Sequence, residues 1–121
     1  MSPNFLILYV DQPQRSASFY SQLLDKPVID ASETFALLPL DNGWMLGLWS
    51  RHTVEPAALN TGGGAEVCFA LDSREAVDAY YQRWTSMGLT ILQQPTRMDF
   101  GYTFTAQDPD GQRLRVFVVE D

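Results

Sequence analysis

The chain is poor in the residues that most often build disulfides and metal centres. It contains one cysteine, Cys68, and one histidine, His52, among 121 residues. A single cysteine cannot form an internal disulfide, which agrees with a reducing compartment. The sequence has no run of about 18 apolar residues, so no membrane-spanning helix is predicted. The first residues also lack the basic and apolar regions of a signal peptide, and we expect a cytoplasmic protein with no membrane partner.

Positive charge is scarce as well. The sequence has 8 Lys and Arg against 15 Asp and Glu, which gives a formal net charge of -7. Because this charge repels a phosphate backbone and the basic residues are scattered, we expect no nucleic-acid partner. The same negative charge would attract a cationic small molecule. The alternative is that the charge only keeps the protein soluble.

The length predicts one domain, residues 1–121, made of two similar halves. The first half covers about residues 1–52, a glycine-rich connector covers about 53–63, and the second half covers about 64–121. In each half the hydrophobic pattern predicts a strand, a helix and three further strands. The predicted strands are 4–10, 28–30, 34–38, 44–49, 66–71, 89–93, 99–107 and 112–119, and the predicted helices are 14–25 and 74–87.

One helix per half covers one face of a sheet and leaves the other face bare. The sequence therefore predicts an α+β fold in which a tandem βαβββ repeat forms a cupped, partly open mixed β-barrel. The last two strands flank Asp108-Pro109-Asp110-Gly111, a combination typical of a hairpin turn. Alternation along the final strand places Arg113, Arg115 and Phe117 on one face.

The same alternation predicts which side chains line the bare faces. They form an apolar and aromatic wall with one acid and two bases, which suits a flat aromatic ligand. The predicted ligand-binding residues are Phe5, Ile7, Tyr9, Met45, Gly47, Trp49, Glu66, Cys68, Arg113, Arg115 and Phe117, with Phe100 and Tyr102 at a mobile lip. Gly47 is expected to leave room for a ring close to the backbone. Phe5, Met45 and Phe117 are as well explained by packing in the core as by lining a pocket. The segment with Phe100 and Tyr102 is as well explained by an ordinary edge strand as by a mobile lip.

Several motifs together resemble those of the vicinal oxygen chelate superfamily, which includes glyoxalases, bleomycin resistance proteins and extradiol dioxygenases. They are residues 9–11 with 15–20, residues 66–72, residues 88–91 and residues 108–111, and they span nearly the whole chain. The resemblance implies a glyoxalase-like fold, a ligand cavity lined by the sheet and, as in many members, a homodimer.

In the enzymes of that superfamily four side chains hold a divalent metal. The resemblance places these positions at Phe5, Gly47, Glu66 and Arg115, of which only Glu66 carries a metal donor. The sequence therefore predicts no metal and no cofactor, and it is more similar to the metal-free members that confer resistance to bleomycin or phenazines. Glu66 and Arg115 form an ion pair with each other, or they hold a charged group of the ligand.

Three functions remain open at this point. The first is metal-independent binding and sequestration of a small aromatic natural product, such as an antibiotic, by a homodimer without catalytic residues. The second is a metal-dependent lyase, isomerase or dioxygenase with displaced ligands such as His52, Glu66 and Asp99. The third is a structural or regulatory dimer without a ligand. Thiol catalysis by Cys68 has no histidine beside it to act as a base, so Cys68 is read as apolar filler.

Overall fold

The computed structural model describes residues 1–121, and these form two compact units, Met1–Thr61 and Gly62–Asp121. The first unit contains β1 (Phe5–Val10), α1 (Pro13–Leu24), β2 (Asp30–Ala31), β3 (Phe35–Pro39) and β4 (Met45–Ser50). The second contains β5 (Glu66–Ala70), α2 (Arg74–Ser86), β6 (Thr90–Met98), β7 (Gly101–Gln107) and β8 (Arg113–Val119). The predicted α+β fold with a tandem βαβββ repeat is confirmed.

The start of α1 and both ends of α2 fall at residues suited to those positions. Pro13 opens α1, where its fixed φ fits the first turn and its missing N–H is not needed. The side chain of Ser73 caps α2 by accepting a hydrogen bond from the Ala76 amide at 3.1 Å. Gly88 follows α2 with a φ of +87°, a conformation that favours glycine. Neither helix combines the length and the apolarity that crossing a membrane requires.

Each unit contains one four-stranded mixed sheet, and the strands do not form a closed barrel. The strand order is β1-β4-β3-β2 in the first sheet and β5-β8-β7-β6 in the second. The pairs β1–β4 and β5–β8 are parallel, and the remaining pairs are antiparallel. The two repeats therefore share strand order as well as element order.

In each unit the helix packs on one face of its sheet and forms the core there. In the first unit α1 contributes Tyr20 and Leu23 against buried residues of β3 and β4 such as Leu38 and Leu48. In the second unit Trp84 of α2 packs with its ring centroid 5.5 Å from that of Phe104. The opposite face of each sheet has no helix of its own unit upon it, and we call it the open face.

Most elements lie within one or two residues of their predicted bounds, and two strands differ more. The strand predicted at residues 28–30 is observed at Asp30–Ala31, so the two overlap only at Asp30. The strand predicted at residues 89–93 extends to Met98, because β7 supplies partners beyond Gln93. Pro95 is tolerated there because β6 is an edge strand, where a missing amide donor costs no internal ladder bond.

Candidate functional site

The open face of the first sheet is apolar and aromatic. Strand register places three rows of side chains on this face, because directly paired residues point to the same side. The rows are Phe5–Met45–Pro39, Ile7–Gly47–Leu37 and Tyr9–Trp49–Phe35. Phe5, Ile7 and Tyr9 are 45%, 39% and 36% exposed, so large apolar surface stays uncovered in this unit. The sequence therefore placed the first-sheet candidates on one face correctly, although their contact with a ligand stays a prediction.

Gly47 lies at the centre of this face, but the space above it is not empty. A Cβ atom added at Gly47 would come within 2.8 Å of Phe35 Cζ and within 3.1 Å of Phe5 Cε1. The chain's own rings thus fill the room that the glycine leaves, which corrects the expectation of an open gap. Phe35, whose ring centroid is 6.1 Å from that of Trp49, is a residue that the sequence analysis missed.

The open face of the second sheet is polar at its centre. Register pairs Glu66 with Arg113 and Cys68 with Arg115, so these four predicted residues share one face. The guanidinium of Arg115 donates to both carboxylate oxygens of Glu66, from Nε at 2.8 Å and from Nη2 at 3.0 Å. The sequence left open whether Glu66 and Arg115 pair with each other or with a ligand, and the structure shows that they form an ion pair with each other.

Two further residues hold Arg115 in place. Its Nη1 donates to Gln93 Oε1 at 3.1 Å and to Thr103 Oγ1 at 3.2 Å. Thr103 in turn donates to the backbone carbonyl of Val116 at 2.9 Å. Four of the five guanidinium N–H donors are therefore engaged, and one N–H on Nη2 is not. The sequence analysis did not include Gln93 and Thr103 among the site residues. Their position beside Arg115 depends on how β6, β7 and β8 are paired, which the sequence of a single strand does not reveal.

The charges on this face set the protonation of its titratable groups. The hydrogen bonds and positive charge of Arg115, with a smaller effect of Arg113, lower the pKa of the Glu66 carboxyl despite its partial burial. Partial burial raises the pKa of the Cys68 thiol, and the negative charge of Glu66 raises it further. Glu66 is therefore ionised and Cys68 protonated at neutral pH, and a protonated thiol is a poor nucleophile.

The two predicted lip residues lie on different faces. Phe100 precedes β7, and its ring centroid is 5.8 Å from that of Phe117 on the open face. Tyr102 instead points toward α2, where its hydroxyl donates to Asp78 Oδ1 at 2.7 Å and its ring lies 4.5 Å from the Arg74 guanidinium. The prediction that Tyr102 shares a lip with Phe100 is corrected, since side chains two residues apart across the Gly101 bend do not keep one face.

A shallow depression of about 540 Å³ opens beside Arg115 in the second unit. It is lined by Arg97, Met98, Asp99, Phe100 and Arg115. The depression thus joins an aromatic edge to the ion-paired centre of the open face.

The residues at the positions implied for a metal do not fit one. Phe5 and Gly47 offer no donor atom, and both oxygens of Glu66 accept hydrogen bonds from Arg115. His52, proposed as a displaced ligand, lies in the first unit with its Nε2 2.6 Å from Asp11 Oδ1. That hydrogen bond lowers the pKa of Asp11. Within neither unit do three His, Cys, Asp or Glu side chains group closely enough to hold a metal ion.

These features of fold and site agree with one protein family. Residues 2–116 match the model of the Glyoxalase/Bleomycin resistance protein/Dioxygenase superfamily, so the chain belongs to that superfamily. The chain is 29% identical over 119 residues to the phenazine antibiotic resistance protein EhpR of Enterobacter agglomerans, covering 96% of this chain and 91% of that protein.

Solved structures show the same fold. The solution structure of protein ATC0852 from Agrobacterium tumefaciens is 50% identical, with a TM-score of 0.90 over 100% of this chain and 99% of that one. A glyoxalase-related enzyme from Fulvimarina pelagi is 16% identical, with a TM-score of 0.82 over 98% of this chain and 88% of that one, which shows the fold alone. Together the relationships support a role similar to that of resistance proteins or glyoxalases.

Proposed function

We propose that the protein binds and sequesters a small planar aromatic natural product, such as an antibiotic, without a metal ion. The observation that carries the proposal is the open face of the first sheet, where Phe5, Tyr9 and Trp49 present aromatic surface. The charged Asp30, which is paired with Leu37, lies on the edge strand β2 at the far side of this sheet from Phe5 and Tyr9. Stacking on such rings contributes about 0.5–1.5 kcal/mol per ring pair beyond the burial of apolar area. The name of the relative EhpR, a phenazine antibiotic resistance protein, supports phenazines as the first compounds to test.

The chemistry of the second sheet favours binding over catalysis. A general base needs a group that is free to take a proton, but the Glu66 carboxylate accepts two hydrogen bonds from Arg115. Cys68 is held as a thiol, and no histidine lies in the second unit. The open face of the second sheet thus carries charged groups but no poised acid–base pair.

Quenching of tryptophan fluorescence tests the proposal. Titration with phenazine should quench the fluorescence saturably, and the Trp49→Phe variant should lose most of the quenching. Trp44→Phe is the matched control, because Trp44 precedes β4 and is not among the rows of the open face. No saturable quenching by phenazine or by other planar aromatic compounds would contradict the proposal. Equal quenching in wild type and Trp49→Phe would place the ligand elsewhere.

The proposal includes a second copy of this chain as a partner. Phe5 and Ile7 leave apolar surface exposed on an edge strand, and such surface is commonly covered in an assembly. Sedimentation equilibrium should give twice the chain mass of 13.6 kDa. A monomer at all concentrations tested would contradict the homodimer but not the binding of a ligand.

A further inference from the structure

The tip of the hairpin formed by β6 and β7 is an exposed segment with few attachments to the rest of the second unit. We define the tip as residues 96–100, all of which are exposed. An irregularity in the ladder between Gln93 and Thr96 separates it from the earlier part of β6. Beyond that irregularity β6 is an edge strand that pairs only with β7. Exposed backbone pairing of this kind opens at a lower free-energy cost than a buried core does.

The tip also forms most of the wall of the depression beside Arg115. Four of the five lining residues belong to the tip, namely Arg97, Met98, Asp99 and Phe100. The ring of Phe100 contacts β8, with its centroid 5.8 Å from that of Phe117. Arg115, the fifth lining residue, is fixed on β8 by its ion pair and hydrogen bonds. A movement of the tip therefore changes the width of the depression.

Two residues that follow β8 hold the tip in place. The backbone amide of Glu120 donates to the carbonyl oxygen of Phe100 at 3.0 Å. Arg97 donates from Nη2 to the backbone oxygen of Asp121 at 3.4 Å, and its Nε lies 3.6 Å from Glu120 Oε1. These attachments lie outside the sheet ladder, so the tip is held from a segment that is not one of its neighbouring strands.

The carboxylate of Glu120 is bound on its other side by α2. Arg74, the first residue of that helix, donates from Nε to Glu120 Oε2 at 2.6 Å and from Nη2 to Oε1 at 2.9 Å. These hydrogen bonds lower the pKa of Glu120, so the carboxylate is charged at neutral pH. We call Glu120 with Arg74 and Arg97 the clasp, because one carboxylate joins the helix to the exposed tip.

We propose that the tip is a lid on the depression and that the clasp keeps this lid closed. The irregularity between Gln93 and Thr96 is the hinge, since strand pairing is already interrupted there. Release of the Glu120 carboxylate from Arg74 frees the tip while α2 stays packed on the sheet. Glu120 is a positioning residue, because it holds the lid and lines no part of the depression. The inference does not depend on the proposed function, since no ligand takes part in it.

Amide hydrogen exchange measured by NMR tests the lid residue by residue. Glu120→Gln should speed exchange of the tip amides that pair with β7 by a common factor of about three to five, as expected for loss of a partly exposed ion pair. Amides of β5 should be unchanged. Arg74→Gln should give a similar factor, and the double variant should add little to either single one. Glu75→Gln removes the same charge from an exposed position of α2 outside the clasp and should change nothing at the tip.

The other outcomes overturn the inference. Unchanged exchange at the tip in Glu120→Gln would show that the clasp does not hold it. Faster exchange only at Asp99 and Phe100 would show fraying of the turn, and an equal increase throughout the second unit would show general destabilisation. An equal effect of Glu75→Gln would make the net charge the cause. All these results are obtained without a ligand, so they leave the proposed function standing, and failure of phenazine to bind leaves the lid standing.

Discussion

Separating Glu66 from Arg115 should destabilise the second unit measurably. The pair is joined by two charge-assisted hydrogen bonds of 2.8 and 3.0 Å, and the side chains are 27% and 19% exposed. Breaking a fully buried pair costs about 3–5 kcal/mol, whereas an exposed pair contributes about 0–1 kcal/mol. This pair lies between those limits, so we expect Glu66→Gln to lower the free energy of unfolding by about 1–2 kcal/mol.

A double-mutant cycle isolates the interaction from other effects of each substitution. Urea unfolding followed by circular dichroism would be measured for Glu66→Gln, Arg115→Met and the double variant at pH 7. The coupling free energy should be about 1–2 kcal/mol. A coupling below about 0.3 kcal/mol, which is within ordinary additivity, would refute the reasoning, because the two residues would then act independently.

The pH dependence of the cycle gives a second check. Arg115 lowers the pKa of Glu66 in the folded protein, so the unfolded chain binds its proton at higher pH than the native one does. The contribution of the pair is therefore fully present above the ordinary glutamate pKa of 4.5 and is lost as pH falls through the lowered native pKa. The difference in stability between wild type and Glu66→Gln should shrink as the pH falls from 4.5 through the lowered native pKa of Glu66.

Three further substitutions test other parts of the structure. Gly47→Ala should lower phenazine affinity several-fold in fluorescence titration, because the new Cβ would displace the Phe35 ring that lies 2.8 Å away, and unchanged affinity would contradict this. Gly101→Ala should lower the free energy of unfolding in urea by about 3 kcal/mol, because φ is +152° and the new Cβ would meet a backbone carbonyl oxygen of β8. A decrease of less than about 1 kcal/mol would contradict this geometry. Tyr102→Phe should lower the free energy of unfolding by about 1 kcal/mol, because the hydrogen bond to Asp78 is lost, and should leave the affinity for phenazine unchanged. A lower affinity for phenazine would show that Tyr102 contacts the ligand after all.

The features that the sequence predicts well depend on local chemistry. The hairpin between β7 and β8 is an example, since Asp108 Oδ1 accepts hydrogen bonds from the amides of Asp110 and Gln112, both at 2.8 Å. Such a turn is encoded by residues that are adjacent in the chain. The cap at Ser73 and the left-handed Gly88 follow from equally local rules.

The features that the sequence predicts poorly depend on pairing between distant strands. Phe35 joins the aromatic face because β3 pairs it with Trp49, and residue spacing along one strand does not contain that register. The ion pair between Glu66 and Arg115 is one of the two alternatives that the sequence analysis names, although Glu66 lies directly opposite Arg113 in the ladder. Which of the two alternatives holds follows from side-chain geometry that alternation along one strand does not supply.

Calorimetric titration with and without metal tests the central claim most directly. Phenazine would be titrated into protein treated with EDTA, and again after addition of Zn²⁺, Ni²⁺ or Mn²⁺. We predict saturable binding with the same affinity in every sample, because the aromatic rings proposed to hold the ligand on the first sheet do not depend on an ion. Binding that occurs only after a metal is added would contradict the account.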